Sequence, residues 1–145
     1  ELRGEFAAAP AGTVLANDAA GVYGSYTGSC TAPVLPVANL QEVTPGEAEL
    51  WTTVLGTTAQ PYTIQVERVT MTGSDPNRNL LIRVTDKRLL DATGGVVQGM
   101  SGSPIVQNGR LAAVLTHVLV NDPSRGYAIF ATTMLEKADA VASSK

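Results

Sequence analysis

The feature that most limits the fold of this chain is a rhythm of short apolar runs, each closed by turn-forming residues. Runs at Thr13–Ala16, Val22–Tyr26, Val34–Val43 and Glu47–Leu55 are separated by Asn17-Asp18, Gly28-Ser29 and Thr44-Pro45-Gly46. These separators tolerate tight-turn dihedrals or bond their own backbone. Tyr62–Met71 alternates, with Tyr62, Ile64 and Val66 set against Thr63, Gln65 and Glu67, and a change of face near Val69 reads as a bulge. Leu80–Val84 is a further strand. Ile105-Val106 and Leu111–Val120 flank Asn108-Gly109, the strongest short hairpin signal there is. Asn121-Asp122-Pro123 is expected to open a loop before a last strand, Tyr127–Phe130. Many short strands at this spacing predict an all-β barrel or sandwich. Helix is expected in two places only: one turn over Leu89–Thr93, and a terminal helix from Thr132 or Thr133 to about Ala142. Glu136, three residues after Thr133, suits a capping box there. Residues 1–11 read as a lead-in, since Ala7-Ala8-Ala9-Pro10 is too short and proline-stopped to hold a helix.

Composition excludes several classes. At 145 residues and 44% hydrophobic the chain can bury one real core. Ten basic against thirteen acidic residues give a net charge of −3, without the basic footprint of a nucleic-acid binder. The single cysteine, Cys30, has no internal disulfide partner, and its plain reading is a small residue in a turn or half-buried strand. One histidine, one cysteine and no carboxylate pair at ligand spacing imply no metal, and no cofactor is expected. No run is long enough to span a bilayer, and Glu1–Phe6 is not a signal peptide, so an export signal is expected only on a longer precursor.

Chemistry is concentrated between Gly94 and Val106, a Gly-Gly-Val-Val-Gln-Gly-Met-Ser-Gly-Ser-Pro-Ile-Val stretch centred on Ser101. Glycines at 99 and 102 allow the backbone to curl until successive N–H groups face one hollow, which suits an oxyanion. In the serine-protease arrangement the donors are the N–H of the nucleophile and that of the residue two before it, here Ser101 and Gly99. A hydrolase elbow requires glycine where Ser103 stands, and no helical pattern follows. A phosphate-binding loop requires lysine after its last glycine. An ordinary Gly/Ser turn between strands remains the alternative.

The sequence around this stretch resembles a known family. Val84–Arg110, and then Thr-His-Val-Leu-Val-Asn-Asp-Pro-Ser-Arg-Gly-Tyr from Thr116 to Tyr127, resemble the C-terminal signature of the stage IV sporulation protein B (SpoIVB) serine peptidases. Gly12-Thr13-Val14 and Gly21-Val22-Tyr23-Gly24 resemble it more loosely. The resemblance implies the second barrel of a trypsin- or chymotrypsin-like serine protease, followed by a C-terminal helix. It also implies a serine endopeptidase of sporulation signalling. Such an enzyme cuts itself and a membrane-bound regulator, and acts secreted or membrane-associated between the forespore membranes.

The same resemblance puts Ser101 in the nucleophile's place and Asp86 in that of the triad aspartate, which holds the imidazole in the right tautomer. Asp86 has a second reading, as a strand-end residue capping the turn at Leu89-Leu90. The family's base lies in a Gly-His-Val segment that this chain lacks, while His117 falls in the Thr-His-Val that follows the serine. His117 and Thr116 are expected on the strand beside the substrate; the alternative for His117 is a partly buried residue packed on the sheet. The chain is thus expected to be the C-terminal part of a peptidase domain, its base supplied from outside. Alone it should be inactive or weakly active, because a triad acts as a unit. Barrel edges left open by the missing part suggest a homodimer or strand exchange. Residues Val96–Met100 carry no charge and disfavour a basic side chain at the cut site. The alternative to an enzyme is a non-catalytic peptide-binding module or a structural β-barrel.

Overall fold

A computed structural model describes residues 9–144. Its centre is a closed barrel of six strands, all antiparallel: β3 (Gly46–Thr52), β4 (Gln60–Val69), β5 (Leu80–Val84), β8 (Asp122–Phe130), β7 (Arg110–Leu119) and β6 (Pro104–Gln107), in that order round the barrel. Closure lies between β3 and β6, where Leu50 stands opposite Ile105 and Glu49 opposite Val106. Apart from the barrel, β1 (Gly12–Asp18) and β2 (Gly21–Tyr26) form a two-stranded hairpin.

Alternation in the sequence builds the barrel's interior. Leu80, Ile82 and Val84 of β5 point inward, as do Ile64 and Val66 of β4 and Leu50 of β3, all essentially shut off from solvent. Each such side chain contributes roughly 1.5–3 kcal/mol by leaving water. Where the alternation of β4 slips, its register against β5 shifts between Val66 and Arg68, so the expected bulge is present slightly earlier than Val69. Asn108 and Gly109 take positive φ between β6 and β7, as their hairpin requires.

Three elements depart from their sequence reading. Val34–Val43 is not a strand: Pro33 and Pro36 break it, leaving a single parallel bridge from Val37 to Leu111 and a 3-10 turn at Leu40–Glu42. The loop expected at Asp122-Pro123 is the start of β8, joined to β7 by a tight turn over Val120 and Asn121. Proline is tolerated because the β7–β8 ladder is irregular there, its register shifting between Val118 and Leu119. The terminal helix, α2 (Ala131–Ser143), begins straight after buried Phe130, with no side-chain cap from Thr132 or Thr133. Phe130 and Ala131 are held in the core, so packing sets where this helix begins.

The barrel edges expected to stand open are paired, because β3 closes on β6. Free edges among the described strands include those of the β1–β2 hairpin and the part of β7 that outruns β6. The hairpin is tied to the barrel by Asn77, whose amide donates to the Ala19 carbonyl, and to α2 by the Lys137–Asp18 pair at 3.4 Å.

Candidate active site

The segment between α1 (Lys87–Thr93) and β6 carries the candidate nucleophile, and its shape follows from four small facts. Gly94 ends α1 in the left-handed region, its N–H reaching the Leu90 carbonyl at 2.8 Å. Gly95 then passes so close to β8 that a Cβ there would stand 2.3 Å from the Pro123 carbonyl oxygen. Val96 and Met100 are both buried in the core and pin the loop at two points. Between and after them run two linked turns, Met100 N–H to the Val97 carbonyl at 3.2 Å and Ser103 N–H to the Met100 carbonyl at 3.0 Å. Gly99 and Gly102 are the third residues of these turns, with φ of 101° and 93°. A type II turn requires positive φ at that position, which explains the Gly-x-x-Gly spacing around Ser101.

Ser101 is therefore the second residue of a turn, exposed on its crest. Its hydroxyl donates to the Thr116 carbonyl at 2.7 Å. Gly102 N–H and Leu115 N–H are spent on the β7 side, bonding the Leu115 and Ser103 carbonyls at 2.8 and 2.9 Å. Among the described residues the N–H groups of Gly99 and Ser101 have no acceptor. Beyond Leu115, β7 has outrun β6, so Thr116–Leu119 offers an unpaired edge alongside Ser101. Thr116 is fixed in a bulge of that strand by its own hydroxyl, which lies 2.6 Å from the Asn77 carbonyl and 3.0 Å from that of Tyr127. His117 is exposed rather than partly buried, and lines the same two hollows as Ser101.

Asp86 is placed elsewhere, among groups that fill its acceptor positions. It caps α1 by accepting the Arg88 N–H at 2.9 Å, and accepts the Thr63 N–H of β4 at 3.1 Å. The Arg88 guanidinium donates twice more, from Nε at 3.0 Å and from a terminal nitrogen at 2.7 Å. Arg88 in turn bonds the Pro61 carbonyl at 2.9 Å and lies over the Tyr62 ring. With its side chain only 8% exposed, Asp86 joins β4 to α1. It lines neither hollow beside Ser101. The Arg88 guanidinium, helped by the N–H groups of Thr63 and Arg88, holds the carboxyl well below the usual carboxylate range against the opposing effect of burial.

Sequence reasoning missed the partner of the Ser101 hydroxyl and the tether at Asn77. A bulge that turns one carbonyl toward another loop leaves no periodic trace.

Known proteins were compared with this architecture. The family described as SpoIVB peptidase S55 matches residues 1–135. The chain belongs to that family. Its match to SpoIVB peptidases thus extends well upstream of the serine loop, over the hairpin where likeness in sequence is looser. No curated protein matches the chain. Among solved structures it is similar to the Rv3671c protease of M. tuberculosis. An inactive-form mutant from strain H37Rv matches with TM-score 0.59 and 16% identity, over 92% of this chain and 66% of that one. The active form matches with TM-score 0.58 and 19% identity, over 90% and 58%. The chain thus spans less than two thirds of the length of these proteins. At that identity the likeness establishes the fold: a trypsin-like β-barrel with a C-terminal helix, as expected. A peptidase family and a serine-protease fold together support a serine protease.

Proposed function

We propose that this chain is the C-terminal part of a serine endopeptidase domain in which Ser101 Oγ attacks the peptide carbonyl. The observation that carries this reading is an exposed hydroxyl on a turn whose Gly99 and Ser101 N–H groups have no acceptor among the described residues. Both N–H groups lie on the exposed face of the turn, where they are free to donate to a carbonyl oxygen that turns negative, which is the role of an oxyanion site. The unpaired edge at Thr116-His117 supports a substrate running as an added strand beside β7.

The steps follow from these positions. A base takes the Ser101 proton as Oγ bonds to the carbonyl carbon, and the carbonyl oxygen, now negative, is held by the Gly99 and Ser101 N–H groups. The amine leaves with a proton returned by the base, and water then releases the acyl group by the same route. In this chain the Ser101 hydroxyl donates a hydrogen bond to the Thr116 carbonyl oxygen, which is far too weak a base to activate it. Activation requires the hydroxyl to swing from Thr116 to an imidazole. The family's base lies in a Gly-His-Val segment that this sequence lacks, and His117 falls in the Thr-His-Val after the serine, so on this reading the imidazole comes from outside this chain and the chain alone is inactive or nearly so. Asp86 serves as the orienter only if it releases Arg88; otherwise it holds the scaffold that the serine loop springs from.

Family membership supports the finer reading, a peptidase of sporulation signalling that cuts itself and a membrane-bound regulator between the forespore membranes. No helix among the described residues is long and apolar enough to cross a membrane. The test is a serine-directed fluorophosphonate probe. Labelling of the full-length protein that disappears in Ser101→Ala, with this chain alone labelled slowly if at all, is the expected result. A folded full-length protein that stays unlabelled while still binding peptide would leave only the binding-module reading.

A further inference from the structure

Ser101 borders two hollows. The larger, about 710 Å³, runs between the β1–β2 hairpin, β7 and α2. The smaller, about 280 Å³, is walled by Val96, Val97, Val118 and Val120, with Thr116 and Ser101 on its rim. It is built from the same two segments that hold the reacting groups: the loop bearing the Gly99 and Ser101 amides, and the free edge of β7. A carbonyl seated in the amide cup has its Cβ only two bonds from the attacked carbon. Val96, Val97 and Gln98, which lead into Gly99, line the smaller hollow and not the larger, so the smaller one is the hollow beside the loop that carries both amides.

Resting on the peptidase reading above, we infer that this four-valine hollow receives the side chain on the acyl side of the cut bond, and that it selects an apolar, uncharged one. None of its lining residues is Asp, Glu, Lys or Arg, and its polar ones are Gln98, Ser101, Thr116 and the exposed His117. A lysine or arginine entering would lose water without meeting a counter-charge, which proteins tolerate poorly. The acid closest in sequence is already engaged: Asp122 accepts from the Ser124 N–H and hydroxyl and lies 3.6 Å from Arg125. Gln98 is the only amide side chain on the wall and is neutral. Valine is stiff at χ1, so buried Val96 and half-buried Val118 make a fixed apolar floor, with Val97 and Val120 at the exposed rim.

The test uses full-length enzyme and a peptide series varied only at the residue before the cut. Leucine or valine there is expected to exceed lysine and glutamate in kcat/KM by about 100-fold or more, the scale at which burying an unpaired charge discriminates. Val97→Asp and Val120→Asp each place a carboxylate on the wall and should shift the lysine-to-leucine ratio toward lysine by about tenfold. Val120 is 88% exposed in a hairpin turn, so that variant keeps the fold even where Val97→Asp does not. Lysine within threefold of leucine, or a ratio unmoved by Val120→Asp, overturns the inference. Fluorophosphonate labelling of the same preparations separates the two levels. Labelled Ser101 without the apolar preference removes this inference alone, and a folded but unlabelled protein removes both.

Discussion

The Ser101 turn and the Asp86 junction lie on either side of the same short helix, α1, and they treat their polar groups in opposite ways. At Asp86 the carboxylate accepts four hydrogen bonds, from Thr63 N–H, Arg88 N–H and the Arg88 guanidinium. At Ser101 a hydroxyl is exposed and two neighbouring N–H groups are left vacant. Saturation marks a joint that holds elements together. Vacancy beside a rigidly anchored side chain marks a place kept for something else. Two residues fifteen positions apart thus differ in whether their polar neighbours are taken, and on the proposed reading only Ser101 touches the substrate.

That contrast breaks if the two sites respond alike to substitution. The largest effect is expected for Ser101→Ala in the full-length enzyme, a loss of about 10⁴-fold or more in kcat/KM with an unchanged urea midpoint. An equally large loss of stability would mean that Ser101 is a structural residue. Gly99→Ala comes next. Nothing lies within 4 Å of the added Cβ, so the substitution acts only through its φ of 101°, which alanine resists. Tilting that amide should cost about 10²-fold in kcat, the loss expected for one oxyanion donor, and about 1–3 kcal/mol of stability. Peptide hydrolysis and urea unfolding of the one variant separate the two.

Asp86→Ala should invert the pattern, lowering stability by about 2–3 kcal/mol through a lost cap and an orphaned Thr63 N–H. Unfolding of this chain alone reads that effect directly. A smaller change concerns pH. Because the folded pKa of Asp86 is depressed, its contribution is fully present above the unfolded value of about 3.9 and is lost as pH falls from there toward the folded one. Asp18 and Asp122 are lowered too, by the Ala20 N–H and the Ser124 hydroxyl, so Asp86→Asn should flatten the acid limb of a stability–pH curve without abolishing it. Smallest of all is Asp91→Asn, which breaks an exposed pair with Lys87 on α1 and should change stability by less than about 0.5 kcal/mol.

Much of this was legible in the residues because it depends on local rules. Leu80–Val84 alternates cleanly and is β5 without change, and Asn108-Gly109 makes the turn its dihedrals allow. The serine turn could be read from its two glycines, since positive φ leaves a compositional trace. Closure of the barrel could not, because pairing of Leu50 with Ile105 joins residues far apart in the chain. Nor could the fate of Val34–Val43, where apolar content suggested a strand and two prolines decided otherwise. Asp86 shows the limit most sharply. Cap and orienter are both roles for a carboxylate before a helix, and only the guanidinium of Arg88, folded back across it, shows which groups it holds in this structure.

Because β3 meets β6 and shuts the cylinder, an imidazole supplied from outside, as proposed above, would meet a finished surface instead of an unfilled place in a sheet. On that proposal, joining the two would be an act of docking without strand insertion, and proteolysis could be timed by assembly without refolding either piece.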